Sequence, residues 1–466
     1  MAALPAAATI VLAAHPAQAA AATHGLDGAA LAVGWALPFV GLLLSIALIP
    51  LLAAGFWHRH YGKVALGWAL AFVLPAAVLL GPAAVWGEIL HIALLDYVPF
   101  VILLLALFTV TGGLRIQGGF TGTPLSNATG LAIGTGLASL MGTTGAAMLL
   151  VRPLLRANGW RKRRSHVFIF LIFLVANIGG ALTPLGDPPL FLGFLRGVPF
   201  FWPTVHLLVP MLILSGALLL MFLLLDRWYA AGEPDRPPPA EPLRFEGLAN
   251  VPLLALVVLS VLMSGLLDTG PWLVVHGVEL DGAGLLRDLA LLAIVGLSVA
   301  LTAREVRDAN GFTWEPMREV AKLFAGIFVT IIPVLAMLRA GSAGAFGWVV
   351  DGVSRADGTP HDIAYFWATG ILSSFLDNAP TYLVFFNSAG GDPAVLTTSL
   401  ATTLTAISAG AVFMGANTYI GNAPNFMVRS IVEAGGTRMP SFFGYMGWST
   451  AILVPLFALL SWLLFA

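Results

Sequence analysis

The stretch Asn177 to Leu190 reads N-I-G-G-A-L-T-P-L-G-D-P-P-L and lies inside a long apolar region. Gly179, Gly180, Pro184, Gly186, Pro188 and Pro189 break any helix running through it. In hydrocarbon, an unpaired backbone amide or carbonyl costs several kcal/mol, so irregular chain survives there only where it lines a buried site or an aqueous cavity. Asp187 sits within this break, and an acid at membrane depth is a functional hypothesis in itself.

The same device recurs once. A shift of 235 positions lays Gly186 on Gly421, Pro189 on Pro424 and Phe191 on Phe426, so that G-D-P-P-L-F meets G-N-A-P-N-F. Upstream, the same register lays Gly142-Thr143-Thr144-Gly145 on Asp377-Asn378-Ala379-Pro380, and Ser139 on Ser374. Four breaks in one register predict an internal duplication. Paired interruptions in corresponding halves point to the binding site of a secondary transporter.

Composition agrees with a membrane setting. Of 466 residues, 59% are hydrophobic and only 10% charged, which predicts an all-α polytopic membrane protein. A net charge of -1, with no basic patch interleaved with aromatics, argues against a nucleic-acid partner. The absence of cysteine excludes disulfides, thiolate metal sites and Cys nucleophiles. His58 and His60 flank one apolar run, without the spacing of a metal site.

Apolar runs long enough to cross about 30 Å of hydrocarbon are predicted at 31–54, 64–86, 89–111, 204–225, 249–267, 286–302, 319–338 and 441–465. Regions 166–200 and 394–435 cross once each as broken helices, giving about ten crossings. Regions 129–157 and 362–390 carry mid-length breaks that leave each half too short to span, so they are expected to be re-entrant hairpins. Residues 1–30 read as an N-terminal tail or a signal peptide, with an Ala17-Gln18-Ala19 triplet but no preceding Lys or Arg. With the N-terminus outside, this arrangement puts all 22 Lys and Arg on the cytoplasmic side except Arg196, Arg287, Arg339 and Arg355. The first hairpin then opens from the cytoplasm and the second from outside, so the halves 31–226 and 249–466 are inverted repeats. A polar, proline-rich cytoplasmic linker, 227–248, joins them. Trp57, Trp86, Trp202 and Trp448 near predicted helix ends read as interfacial anchors for the lipid bilayer.

Among 23 acidic residues, Asp187 and Asp377 are the two expected at breaks within apolar sequence, with most of the others in loops or at helix ends. Their neighbours are Thr143, Thr144, Asn177, Thr183, Ser373, Ser374, Asn378, Thr381, Asn417, Thr418, Asn422 and Asn425. Carboxylate, amide, hydroxyl and freed carbonyl oxygens are the hard donors that sodium requires. Burial disfavours a charged carboxylate and a bound cation favours it, so one buried acid can exchange a proton for a metal ion. For an individual Ser or Thr, the simpler role of satisfying backbone groups freed by the prolines stays open. For the two acids, the cost of burying charge argues against that role. Asp96, about two turns into the 89–111 crossing, either makes a hydrogen bond near the outer surface or belongs to a proton pathway.

At its four breaks the sequence resembles the ion transporter superfamily, which includes arsenite, citrate and dicarboxylate carriers and the NhaD-type sodium/proton antiporters. The resemblance is closest to NhaD-like antiporters and to bacterial proteins filed with citrate transporters. It rests on G-T-T-G-A-A-M-L-L-V-R-P (142–153), A-N-I-G-G-A-L-T-P-L-G-D-P-P-L (176–190), D-N-A-P-T (377–381) and A-N-T-Y-I-G-N-A-P-N-F (416–426). It implies a bacterial-type inner-membrane carrier with two hairpin tips and two unwound helices around the ion site, and it allows a homodimer. Thr143 and Thr144 then stand at the first tip, Asp377 and Asn378 at the second. Dicarboxylate members show Ser-Asn-Thr at both tips; this chain has it at neither, which argues against a carboxylate substrate.

The expected function is exchange of sodium or lithium for protons, with Asp187 and Asp377 alternately protonated and bound to the ion. No cofactor is expected beyond those transported ions. The alternative is sodium- or proton-coupled transport of citrate, a dicarboxylate or another small anion. An intramembrane aspartyl hydrolase could also use two membrane acids, but acids at proline-broken helices of inverted repeats fit transport rather than catalysis.

Overall fold

A computed structural model describes residues 26–466 apart from 236, 238 and 240. The Ala17-Gln18-Ala19 triplet and its signal-peptide reading lie outside the described residues.

Helices α1 (Leu37–Leu52) and α2 (Ala54–Leu79) meet at Ala53, whose φ of -147° and ψ of 60° interrupt the helical path. The polar residues 57–63, expected between two crossings, are therefore helical and belong to α2. α3 (Pro82–Ile92) runs through a π-helical turn, Ala93–Tyr97, into α4 (Val98–Gly112). After a short strand β1 (Arg115–Gln117) come α5 (Pro124–Met141), α6 (Thr143–Ala157) and α7 (Ser165–Leu174). A 3-10 turn, Ile178–Leu182, leads to α8 (Pro188–Leu195) and α9 (Trp202–Ala231).

Strand β2 (Arg244–Glu246) pairs antiparallel with β1, and α10 (Asn250–Leu266) follows. The hairpin β3 (Pro271–Val275) and β4 (Val278–Asp281) precedes α11 (Gly282–Leu301), α12 (Arg304–Ala309), α13 (Glu315–Thr330) and α14 (Ile332–Arg339). The remainder comprises α15 (Gly347–Gly352), α16 (Asp362–Phe375), α17 (Asn378–Ser388), α18 (Pro393–Leu396), α19 (Ala401–Met414), a 3-10 turn Gly415–Asn417, α20 (Ala423–Ala434) and α21 (Phe442–Phe465).

Among the described residues, seven helices are long and apolar enough to cross a membrane, or eight if α13 and α14, bent by 43°, form one span. This is fewer than the ten crossings expected. α10 is apolar but has only 17 residues, and α19 ends after 14 where the glycine-rich break begins. Large apolar side chains face outward, including Leu52 at 82% exposure, Val78 at 83% and Phe443 at 80%. Hydrocarbon accepts such surfaces; water would not over so many helices. By contrast α7 is buried on every side from His166 to Leu174, and α19 from Thr403 to Met414. Helices apolar all round belong at the centre, and these two lead directly into the breaks.

The linker differs from expectation at both ends. Arg227 to Ala231 continue α9, and Arg244–Glu246 is tied to Arg115–Gln117. The Arg115 guanidinium donates to Glu246 at 2.8 Å and holds its carboxyl below the usual carboxylate range.

The offset seen in the sequence reappears in the coordinates. Thr143 and Asn378 open α6 and α17, 235 residues apart, and Pro188 and Ala423 open α8 and α20 at the same separation. Thr183 Oγ1 donates to the Ser139 carbonyl and Thr418 Oγ1 to the Ser374 carbonyl. Each hydroxyl also accepts the amide two residues on, from Leu185 and Ile420, at 3.2 Å. At each break the chain passes over itself glycine against glycine, Gly180 beside Gly186 and Gly415 beside Gly421. A Cβ on Gly186 would collide with the Gly180 carbonyl, and one on Gly421 would lie 2.6 Å from the Gly415 carbonyl oxygen. Backbone cannot move aside as a side chain can. Gly186→Ala is therefore expected to lower stability by about 1–3 kcal/mol or more, read as a reduced melting temperature of the purified protein. An unchanged melting temperature would show that the crossing is loose.

Candidate functional site

The breaks place four helix N-termini, those of α6, α8, α17 and α20, around one internal cavity. Its polar lining comes from Thr143, Thr144, Asp187, Asp377 and Asn422; α4 and α13 close it with Phe100, Leu107, Phe108 and Phe324. The cavity, about 100 Å³, is large enough for several waters. Among the described residues, no Lys, Arg or His lines it.

Asp187 has a β-type backbone at the N-cap of α8, with φ -143° and ψ 141°, and Asn422 repeats that conformation at the cap of α20, with φ -150° and ψ 138°. Neither side chain caps its own helix. Both turn to each other instead. Asp187 Oδ1 accepts from Asn422 Nδ2 at 3.1 Å and from Thr143 Oγ1 at 3.1 Å, while Oδ2 accepts from Asn378 Nδ2 at 2.5 Å. Donors from α6, α17 and α20 thus converge on one carboxylate, only 1% exposed. Asp377 is half-buried and caps α17, accepting from the Ala379 amide at 3.0 Å.

Two buried amide oxygens, Asn378 Oδ1 and Asn417 Oδ1, have no hydrogen-bond partner among the described residues. An orphaned buried acceptor is costly, and a cation relieves it. The lone oxygen of Asn378 belongs to the same amide whose Nδ2 donates to Asp187.

The other predicted residues hold the breaks in shape. Asn177 Nδ2 donates to Asn425 Oδ1 at 2.8 Å and its Oδ1 accepts from Asn422 Nδ2 at 3.2 Å, joining the two halves. Asn425 Nδ2 in turn donates to the carbonyls of Gly415 and Thr418, each at 2.8 Å. Thr183 and Thr418 satisfy freed carbonyls as described above, and Thr381 donates to the Asp377 carbonyl at 2.9 Å. Asn417 Nδ2 donates to Ser374 Oγ at 2.9 Å. Asp96 lies in the π-helical turn and pairs with Arg196 at 3.0 Å, lining a different cavity together with Glu88, His91, Arg339 and Asn387.

The sequence profile of the CitMHS_2 family, described as “Putative citrate transport”, matches residues 28–465. The chain belongs to this family. No curated protein matches it significantly. Membership of CitMHS_2 extends across both broken helices and both glycine crossings, so every element of the cavity lies within the family domain. The family and the apolar helices together describe a multi-pass membrane transporter.

One polar cluster escaped the reading of the sequence. Asp226, fully buried on α9, meets Arg161 at 2.5 Å and His166 at 2.7 Å and accepts from Asn127 Nδ2 at 3.0 Å. The expected crossing ended at residue 225, which left Asp226 between it and the linker 227–248. A signal was present: Met211, Leu214, Leu218 and Phe222 recur every three or four residues, and the next position on that buried stripe is Asp226.

Proposed function

We propose that this chain exchanges sodium or lithium for protons across a bacterial-type inner membrane. The observation that carries this reading is the cavity lining, whose only charged side chains among the described residues are those of Asp187 and Asp377. A cation or a proton neutralises such a site, and each can displace the other. The lone oxygen of Asn378 and the hydroxyls of Thr143 and Thr144 supply the remaining oxygen donors. Asp187 and Asp377 act as the ion ligands, with Asn177, Thr183, Thr381, Asn417, Thr418 and Asn425 fixing the backbone around them.

In this proposal the halves 31–226 and 249–466 are inverted repeats with the N-terminus outside. The matched helix starts and the paired glycine crossings, 235 residues apart, support that duplication. The cavity reaches Pro316 and Met317 at the start of α13, on the side that the positive charges assign to the cytoplasm.

A second reading, cation-coupled transport of citrate or another small anion, is favoured by the family description and by the helix ends. Each N-terminus carries roughly half a positive charge, so four of them about offset two carboxylates. A bound cation then leaves a positive field for an anion. Everted membrane vesicles with an imposed pH gradient distinguish the two. Exchange predicts that millimolar sodium or lithium, but not potassium, dissipates the gradient only where the protein is present. Indifference to all three cations, with uptake of labelled citrate by reconstituted protein, would overturn it.

A further inference from the structure

Arg152, Arg156 and Arg164 line one open cavity of about 680 Å³ between α6 and α20, near the ends of those helices remote from the central site. Among the described residues no carboxylate lines it, although Glu241 lies near enough to act on the charge of Arg156. Three other arginines on that side are ion-paired: Arg115 with Glu246, Arg161 with Asp226, and Arg429 with Glu433. None of the three in the cavity is ion-paired among the described residues. Arg156 Nη2 donates to the Ile116 carbonyl at 3.0 Å and Arg164 Nη1 to the Asn158 carbonyl at 3.4 Å; Arg152 makes no hydrogen bond. A guanidinium carries five N–H donors, so most of this capacity is unused. The charges of Arg152 and Arg156 also repel each other. Leu155 and Ile431 add an apolar wall beside them.

We propose that this cavity binds a phosphate-class oxyanion, clamped between α6 and α20. Clustered guanidiniums recognise phosphate oxygens through paired N–H bonds, and basic pockets between helices on the cytoplasmic side are where anionic headgroups settle. The position has a consequence for the central site. α6 begins at Thr143, which donates to Asp187, and α20 is preceded by Asn422, which donates to the same carboxylate. All three guanidiniums come from α6 and its connection to α7, and α20 faces them with Ser430, so an anion here braces α6 directly and α20 through that hydroxyl. The inference does not depend on which solute the central cavity carries.

The test uses the full-length protein in nanodiscs. In phosphatidylcholine discs, pyrophosphate is titrated and binding followed by thermophoresis; in discs containing phosphatidylglycerol, retained lipid is counted by native mass spectrometry. The triple variant R152Q/R156Q/R164Q is expected to weaken binding by about tenfold or more, with the triple Lys variant intermediate and R304Q, at an exposed unpaired arginine, unchanged. Single R152Q, at a side chain without a hydrogen bond, guards against folding failure and should weaken binding about threefold. Selective retention of phosphatidylglycerol lost in these variants identifies a lipid headgroup, and pyrophosphate binding in neutral discs identifies a soluble anion. Equal lipid retention by wild type and variants, with no pyrophosphate binding that they lose, overturns the site.

Discussion

Asp187→Asn is expected to reduce cation-dependent dissipation of a pH gradient by about a hundredfold or more, the effect of about 2.7 kcal/mol, while leaving insertion and folding intact. The amide has the shape of the carboxylate but no charge. It also offers one acceptor oxygen where Asp187 now receives three donors, from Thr143, Asn378 and Asn422. One of those donors is left facing an N–H group, so binding is lost even for an ion that tolerates the missing charge. Asp377→Asn is the cleaner companion. Asp377 makes a single cap bond to the Ala379 amide, and Asn caps a helix about as well as Asp. Its stability should be unchanged, so lost transport reports the missing charge alone. Wild-type rates in both variants, at equal membrane abundance, would remove these acids from the mechanism.

Asp226→Ala carries the largest expected effect on stability. It strips the carboxylate from Arg161, whose side chain is fully buried, and takes an acceptor from His166 and Asn127. Breaking one side of a buried pair costs about 3–5 kcal/mol, because the surviving charge stays in a poor solvent. A marked fall in melting temperature and in the yield of monodisperse protein is expected. Asp226→Asn, which keeps an acceptor for Arg161, should lie between. If Asp226→Ala melts with the wild type, water must reach Arg161 and the pair contributes little. This cluster joins α5, the α6–α7 connection and α9, far from the cavity lining, so residual protein should still transport.

The sequence by itself determined the class of the molecule and the location of its breaks. Glycines and prolines at 177–190 and 415–426 cannot continue a helix, and apolar surroundings leave a membrane as the only fitting solvent. The register of 235 was legible for the same reason, since the close backbone crossings at Gly180–Gly186 and Gly415–Gly421 tolerate no side chain. Asp187 and Asp377 could be named because charge within apolar sequence is conspicuous.

Which neighbours meet those acids is another matter, decided only by the tertiary structure. Thr143, Asn378 and Asn422 reach Asp187 from three different helices, whereas Thr183, Thr418 and Asn425, of the same chemical kind, turn to backbone carbonyls. Composition cannot separate a ligand from a backbone tie, because both are hydroxyls or amides beside a broken helix. The ends of helices were equally hidden. α9 runs past its apolar stretch and carries Asp226 inward, since a partner guanidinium from another part of the chain makes burial of that charge possible. Long-range pairing of this sort leaves no mark on either local sequence, and only the packed chain brings the two charges together.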